Sequence, residues 1–233
     1  MVDSEYVEEY VRKALEERPD FENVQWMLQK SSGAVVRDFS DNNHHKVIDM
    51  FLALVNNTCE CSETTYLTLM DNLIADNRSN EAEDVLLKYQ NSKVYNPLRK
   101  LIYQARIADV KREFEKAKEI RNTIEKEYSN NSLAMYELAN IYAGKCDYIN
   151  AIKMYEASFA LQENNKHTNA PIYIDALHGI EICYEIMKDY NSAAKYCDKQ
   201  MDVLKDYWGI DRGEAIEGIQ RRKNALLNKM IDR

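Results

Sequence analysis

Apolar and small residues recur at helical spacing along much of this chain, and the pattern is clearest between Asn131 and Leu161. Two helices are predicted there, joined by a turn at Asp147 and Tyr148. The small side chains of Ala139 and Ala151 allow the two helices to approach closely. The apolar stripe of the first helix contains Met135, Leu138, Ala139 and Tyr142, and that of the second contains Ala151, Tyr155 and Ser158.

The same two-helix pattern recurs in phase when Ala151 is taken as the anchor. Ala117 lies 34 residues before it, Ala82 lies 35 residues before Ala117, and Ala193 lies 42 residues after Ala151. The longer last interval places an insertion at Glu163 to Ala170. Repeats at this spacing predict stacked helical units, because one such unit cannot bury its apolar face alone. The predicted units cover residues 64–97, 98–131, 132–165 and 174–207.

The two ends of the chain follow the pattern less closely. Residues 1–63 are predicted to form degenerate helical units, since Val47, Phe51 and Leu54 have the spacing of a second helix. Residues 213–231 predict one long helix with apolar residues on one side and Arg221, Arg222 and Lys223 on the other. A terminal helix with a polar outer face closes the exposed end of a helical stack.

The segment from Asn131 to Leu161 resembles the tetratricopeptide repeat family at nearly every signature position, including Tyr136, Asn140 and Tyr142. The other units match more loosely and share its phase. The resemblance implies an all-α fold, a right-handed superhelical solenoid with a C-terminal capping helix, forming a single domain over residues 1–233. It also implies that the first helix of each unit lines the concave face.

Composition supports a helical chain and restricts its partners. Six glycines and three prolines occur in 233 residues, and no long segment alternates apolar with polar residues. The 39 acidic and 31 basic residues argue against direct nucleic-acid binding and against attachment to anionic membranes. Residues 1–100 hold 18 acidic and 11 basic side chains, so most of the negative excess lies there. A polar, acidic start and five scattered cysteines favour a cytoplasmic location.

Candidates for chemistry are few. Cys59 and Cys61 with His44 and His45 are four possible zinc ligands, but their spacing is wrong for common zinc sites. Cys183 lies five residues after His178, which is poor geometry for a nucleophile and its base on one helix. Phosphate-binding loops and nucleophile elbows are absent from the sequence. We therefore expect no enzymatic activity, no metal and no cofactor.

A binding surface is implied by the resemblance, because first-helix positions then face the concave side. Asp71, Arg106 and Asn140 fall at equivalent positions of successive units, where they would hydrogen-bond an extended peptide. A second interpretation has Asp71 pairing with Arg106 and Asn140 packing within its unit. The full predicted surface comprises Leu67, Asp71, Ile102, Tyr103, Arg106, Tyr136, Asn140, Ala143, His178 and Ile182.

Two functions agree with these features. The first is an adaptor that binds a protein or peptide on the concave face, as the resemblance implies. The alternative is a ligand-responsive regulatory domain, similar to the peptide-sensing helical-repeat receptors of bacteria, although no DNA-binding helix-turn-helix is found at the start of the chain. The sequence identifies neither the partner nor the oligomeric state.

Overall fold

A computed structural model describes Lys13 and residues 48–49, 51–52, 54–56, 61–162 and 170–231, and of residues 170–173 it describes the backbone only. Every regular element in these residues is α-helical. Short helical stretches occur between residues 48 and 56, and the rest of the predicted units before residue 61 lies outside the described residues. The helices that follow are α1 (Glu63–Ala75), α2 (Ser79–Gln90), α3 (Pro97–Val110), α4 (Phe114–Glu127), α5 (Ser132–Gly144), α6 (Tyr148–Gln162), α7 (Ala170–Ile186), α8 (Tyr190–Trp208) and α9 (Glu214–Ile231).

Four helix pairs are joined by one and the same turn. The turn residues Asn77, Arg112, Cys146 and Lys188 all have φ between 59° and 64°. In each case the backbone N–H of the next residue donates to the carbonyl five residues before it, at 2.8–2.9 Å. This bond satisfies a carbonyl that the end of the first helix would leave open. The pairs α1–α2, α3–α4, α5–α6 and α7–α8 are therefore repeated units, compatible with a tetratricopeptide-like repeat.

The small-residue anchor predicted from the sequence is confirmed in all four units. Each anchor follows the turn residue by five positions, is the fourth residue of the second helix, and is 0% exposed. Its N–H donates at 3.0 Å to the carbonyl four residues earlier, in the first turn of that helix. The anchors are Ala82, Ala117, Ala151 and Ala193.

Local sequence explains where several helices begin and end. Asn96 caps α3 by accepting from the N–H groups of Leu98 and Arg99, and Pro97 occupies the first turn, where a missing N–H costs nothing. Asn131 caps α5 in the same way. Gly209 ends α8 in the left-handed conformation that favours glycine.

The chain divides into two compact bodies, residues Met1–Ile120 and Arg121–Arg233, with the boundary inside α4. The core of the N-terminal body includes Leu69, Met70, Leu73 and Tyr89, each fully buried. The Tyr89 hydroxyl donates to Glu63 at 2.7 Å and accepts from the Asn96 N–H at 2.8 Å, so it joins α2 to the starts of α1 and α3. The single continuous solenoid stays a prediction.

In the C-terminal body, α9 packs against α8 with Ile219 and Leu226 buried. The sequence predicted that the basic residues of α9 form a polar outer face, and the structure differs for two of the three. Arg222 reaches Glu181 of α7 at 2.9 Å, and Lys223 contacts Asp198 of α8 at 2.6 Å, whereas Arg221 is 68% exposed. Two of the three basic residues therefore attach α9 to α7 and α8. At Glu181 the reason is burial, because a buried carboxylate needs a cationic partner.

Candidate functional site

The ten predicted surface residues lie on the first helices α1, α3, α5 and α7. They separate into two groups, one in each compact body. The N-terminal group comprises Leu67, Asp71, Ile102, Tyr103 and Arg106. The C-terminal group comprises Tyr136, Asn140, Ala143, His178 and Ile182.

The structure corrects the N-terminal group at two positions. Ile102 is 0% exposed and Tyr103 is 4% exposed, so neither offers apolar surface to a partner. The Tyr103 hydroxyl lies 2.8 Å from the Asp71 carboxylate and 3.2 Å from the carbonyl oxygen of Leu67. Both residues are interior because α3 packs beside α1, where an aliphatic side chain and a hydrogen-bonded ring are stabilised by burial.

Asp71 and Arg106 are satisfied by each other. The Arg106 guanidinium donates to Asp71 at 2.5 Å and lies 5.0 Å from the centre of the Tyr103 ring. Leu67 is half-buried and packs against the core of the N-terminal body. This arrangement agrees with the second interpretation of the sequence, in which Asp71 and Arg106 pair across neighbouring helices.

In the C-terminal body, Asn140 is held between two tyrosines. The Tyr155 hydroxyl donates to Asn140 Oδ1 at 2.6 Å, and the Asn140 side chain also hydrogen-bonds Tyr136. The centroids of the Tyr136 and Tyr155 rings are 5.8 Å apart. Burial raises the pKa of both tyrosines, so both hydroxyls stay protonated near neutral pH. Asn140 thus packs within its unit and still reaches the surface in part.

The Tyr155 ring also sets the distance between α6 and α7. A Cβ on Gly179 would lie 2.5 Å from this ring, which is closer than any side-chain carbon tolerates. Gly179 therefore lets α7 approach until its backbone meets the aromatic face. A glycine inside a predicted helix was the sequence signal for this contact, and its role depends on a residue 24 positions earlier.

His178 is oriented by a buried carboxylate. Its Nδ1 lies 3.0 Å from Glu181, whose side chain is 1% exposed, while 39% of the His178 side chain is exposed. Glu181 also accepts from Gln200 at 2.6 Å and from Arg222 at 2.9 Å. Burial alone would raise the pKa of Glu181, but hydrogen bonds from His178, Arg222 and Gln200 outweigh it and lower the pKa to about 2.

Ile182 and Ala143 complete the C-terminal group, with Ile182 41% exposed and Ala143 half-buried.

Sequence reasoning missed Asp175, which lies one helical turn before His178 on the exposed side of α7. Asp175 makes no hydrogen bond or ion pair to a described residue. Partial burial raises the pKa of its carboxyl, and His178 acts in the opposite direction.

A separate concavity of about 350 Å³ lies in the N-terminal body and contains none of the predicted residues. Lys111 and Glu83 pair at its rim, as do Lys116 and Glu113. Its floor is formed by the buried side chains of Leu86, Ile107 and Ala108. The rim charges are largely paired, so this concavity shows no preference for the charge of a partner.

In the described ranges, no group of three or more His, Cys, Asp and Glu side chains is placed to hold a metal ion. His44, His45 and Cys59 lie outside those ranges. No helix in the described part of the chain has both the length and the apolar character needed to cross a membrane.

Comparison with known proteins leaves the family unassigned. No protein-family model matches the chain, and no curated protein matches it. A solved structure described as "Crystal structure of MamA protein" is 16% identical, covering 80% of this chain and 97% of that chain, with a TM-score of 0.43. A likeness at this TM-score carries no argument about fold or function.

Proposed function

We propose that this chain is a non-catalytic module that binds a protein or peptide on the first-helix surface of its C-terminal body. We call this surface the α5–α7 face and define it by Tyr136, Asn140, Ala143, His178 and Ile182. The observation that carries the proposal is the mixture of polar and apolar side chains, each at least partly exposed, on two neighbouring first helices. Repeated helical units of this kind commonly present such surfaces to other polypeptides.

The chemistry of the face suits an extended peptide. His178 Nδ1 contacts Glu181, and in the neutral ring that donates through Nδ1 the other nitrogen, Nε2, is an acceptor for a peptide N–H. Ile182 supplies apolar area beside it. Because Glu181, Tyr155 and Gly179 hold these groups in place, a peptide would meet a largely preorganised surface, which reduces the entropic cost of binding.

The N-terminal group is not included in this proposal. Asp71 and Arg106 already neutralise each other, and Tyr103 is buried beneath them. A peptide that used them would first have to break an ion pair, which offsets the interaction gained.

Panning a random dodecapeptide phage library against the full chain tests the proposal. We expect enriched peptides whose binding is lost in Ile182→Asp, because a charge in place of this exposed apolar side chain disrupts apolar contact. The matched control is Ile149→Asp, since Ile149 is 73% exposed on α6, away from the face. Thermal melts should show both variants folded. Equal binding by the two variants would contradict the proposal.

A further inference from the structure

We propose that the α5–α7 face selects a basic side chain of its peptide, with the Asp175 carboxylate as counter-ion and the Tyr136 ring as the adjoining wall. This inference rests on the proposed function and specifies its partner as a lysine- or arginine-containing peptide. Asp175 is then the specificity-determining residue of the face.

The first step of the argument is the placement of Asp175 and Tyr136. Tyr155 links α5 to α7, because its hydroxyl bonds Asn140 and its ring meets Gly179. Tyr136 precedes Asn140 by four residues, and Asp175 precedes Gly179 by four residues. Each therefore lies one helical turn from the Tyr155 contact, toward the N-terminus of its own helix.

The second step is electrostatic. The Asp175 carboxylate has no ion pair with any residue that the structure describes, and Arg222 and Lys223 of α9 pair with Glu181 and Asp198 instead. Its negative charge raises the pKa of Tyr136, after the larger effect of burial, and Glu137 acts in the same direction. Among the residues that the structure describes, no ion pair neutralises Asp175, and only the weaker effect of His178 opposes the rise in its pKa.

The third step concerns the ligand that these groups fit. A partly desolvated carboxylate is stabilised by a cation that donates hydrogen bonds to it. A tyrosine ring attracts the same cation through its negative face. An arginine or lysine satisfies both groups, and its aliphatic stem can lie along the exposed side chain of Ile182. An acidic side chain would be repelled by Asp175.

The test is a specificity exchange, panning the same library against the native chain, Asp175→Asn and Asp175→Lys. We expect lysine or arginine to be enriched at one peptide position with the native chain, no such preference with Asp175→Asn, and acidic residues with Asp175→Lys. Asp202→Lys is the control, because Asp202 is exposed on α8, the second helix of its unit. It should keep the native preference.

A selected arginine peptide should then be compared with its citrulline analogue, which keeps the shape and lacks the charge. We expect about tenfold weaker binding of the citrulline peptide to the native chain, as for a lost charge-assisted hydrogen bond, and equal binding of the two to Asp175→Asn.

The failures of the two proposals are distinguishable. Peptides that depend on Ile182 but show no basic preference would overturn this inference and keep the proposed function. A basic preference that persists in Asp175→Asn would also overturn it. No enrichment on the native chain would overturn both proposals.

Discussion

A single side chain, Tyr155, connects three helices of the C-terminal body. Its hydroxyl bonds Asn140 on α5, its ring lies beside Tyr136, and its face contacts the backbone of α7 at Gly179. A hydrogen-bonded aromatic ring combines large apolar burial with a directional contact. Both the packing of the unit and the positions of the surface groups therefore depend on this residue.

At the residue scale we predict that Gly179→Ala destabilises the protein by about 1–3 kcal/mol, because the added methyl group overpacks against Tyr155. Chemical denaturation would measure the loss. Gly218→Ala is the matched control, since it also lies inside a helix and its Cβ would meet only the end of Arg221, at 3.8 Å. We expect that variant to be neutral or stabilised by up to about 1 kcal/mol. Equal effects of both substitutions would contradict the described contact.

At the scale of the element, Glu181 joins three helices of the C-terminal body. It accepts from His178 on its own helix α7, from Gln200 on α8 and from Arg222 on α9. A buried carboxylate with this many donors is stabilised only while it is ionised. The attachment of α9 to the fourth unit is therefore sensitive to acid.

We predict that this attachment loses its stabilisation as the pH falls from about 4.5 toward 2. The folded-state pKa of Glu181 is about 2, below its usual 4.5. Its contribution to the free energy of unfolding is therefore fully present above pH 4.5 and disappears on acidification, with a size of about 3 kcal/mol. Unfolding curves between pH 2 and 6 would show this slope, and it should shrink in Glu181→Gln. An unchanged slope in that variant would assign the acid sensitivity to other groups.

The second helices depend on their small anchors, which provides a second prediction at this scale. Ala151→Leu should destabilise the protein by about 1–3 kcal/mol or more, because Ala151 is completely buried where α6 meets α5. Ala160→Leu on the same helix is the control, since Ala160 is exposed and leucine favours helix. Comparison of their unfolding midpoints measures the difference. A tolerated leucine at position 151 would contradict the assigned repeat phase.

At the scale of the whole molecule, the two bodies differ in their surface chemistry. The N-terminal group of predicted residues is internally paired through Asp71 and Arg106, whereas the α5–α7 face has half-buried groups on α5 and more exposed groups on α7. Both bodies use the same helix–turn–helix unit. The same local architecture therefore presents different surface chemistry in the two bodies, and the difference resides in the side chains at equivalent positions.

The phase of the repeats could be predicted from the sequence, because a tight turn and a buried small anchor are local requirements. The residue type and the spacing of the four anchors predict the units and their turns, and the anchors are Ala82, Ala117, Ala151 and Ala193. The capping of α3 by Asn96 and Pro97 is equally local. Such features depend on neighbours within a few residues along the chain. They can therefore be predicted from the sequence without knowledge of the fold.

The surface could be predicted only in part, because exposure depends on residues far away in sequence. Ile102 and Tyr136 occupy equivalent positions, each 15 residues before the small anchor of its unit, yet Ile102 is buried and Tyr136 is half-exposed. Arg222 belongs to a basic cluster, and only its proximity to Glu181, 41 residues earlier, removes it from the solvated face. Local spacing determined the units and their anchors, while tertiary packing decided which polar groups were paired and which stayed available, because burial and ion pairing are set by neighbours in space.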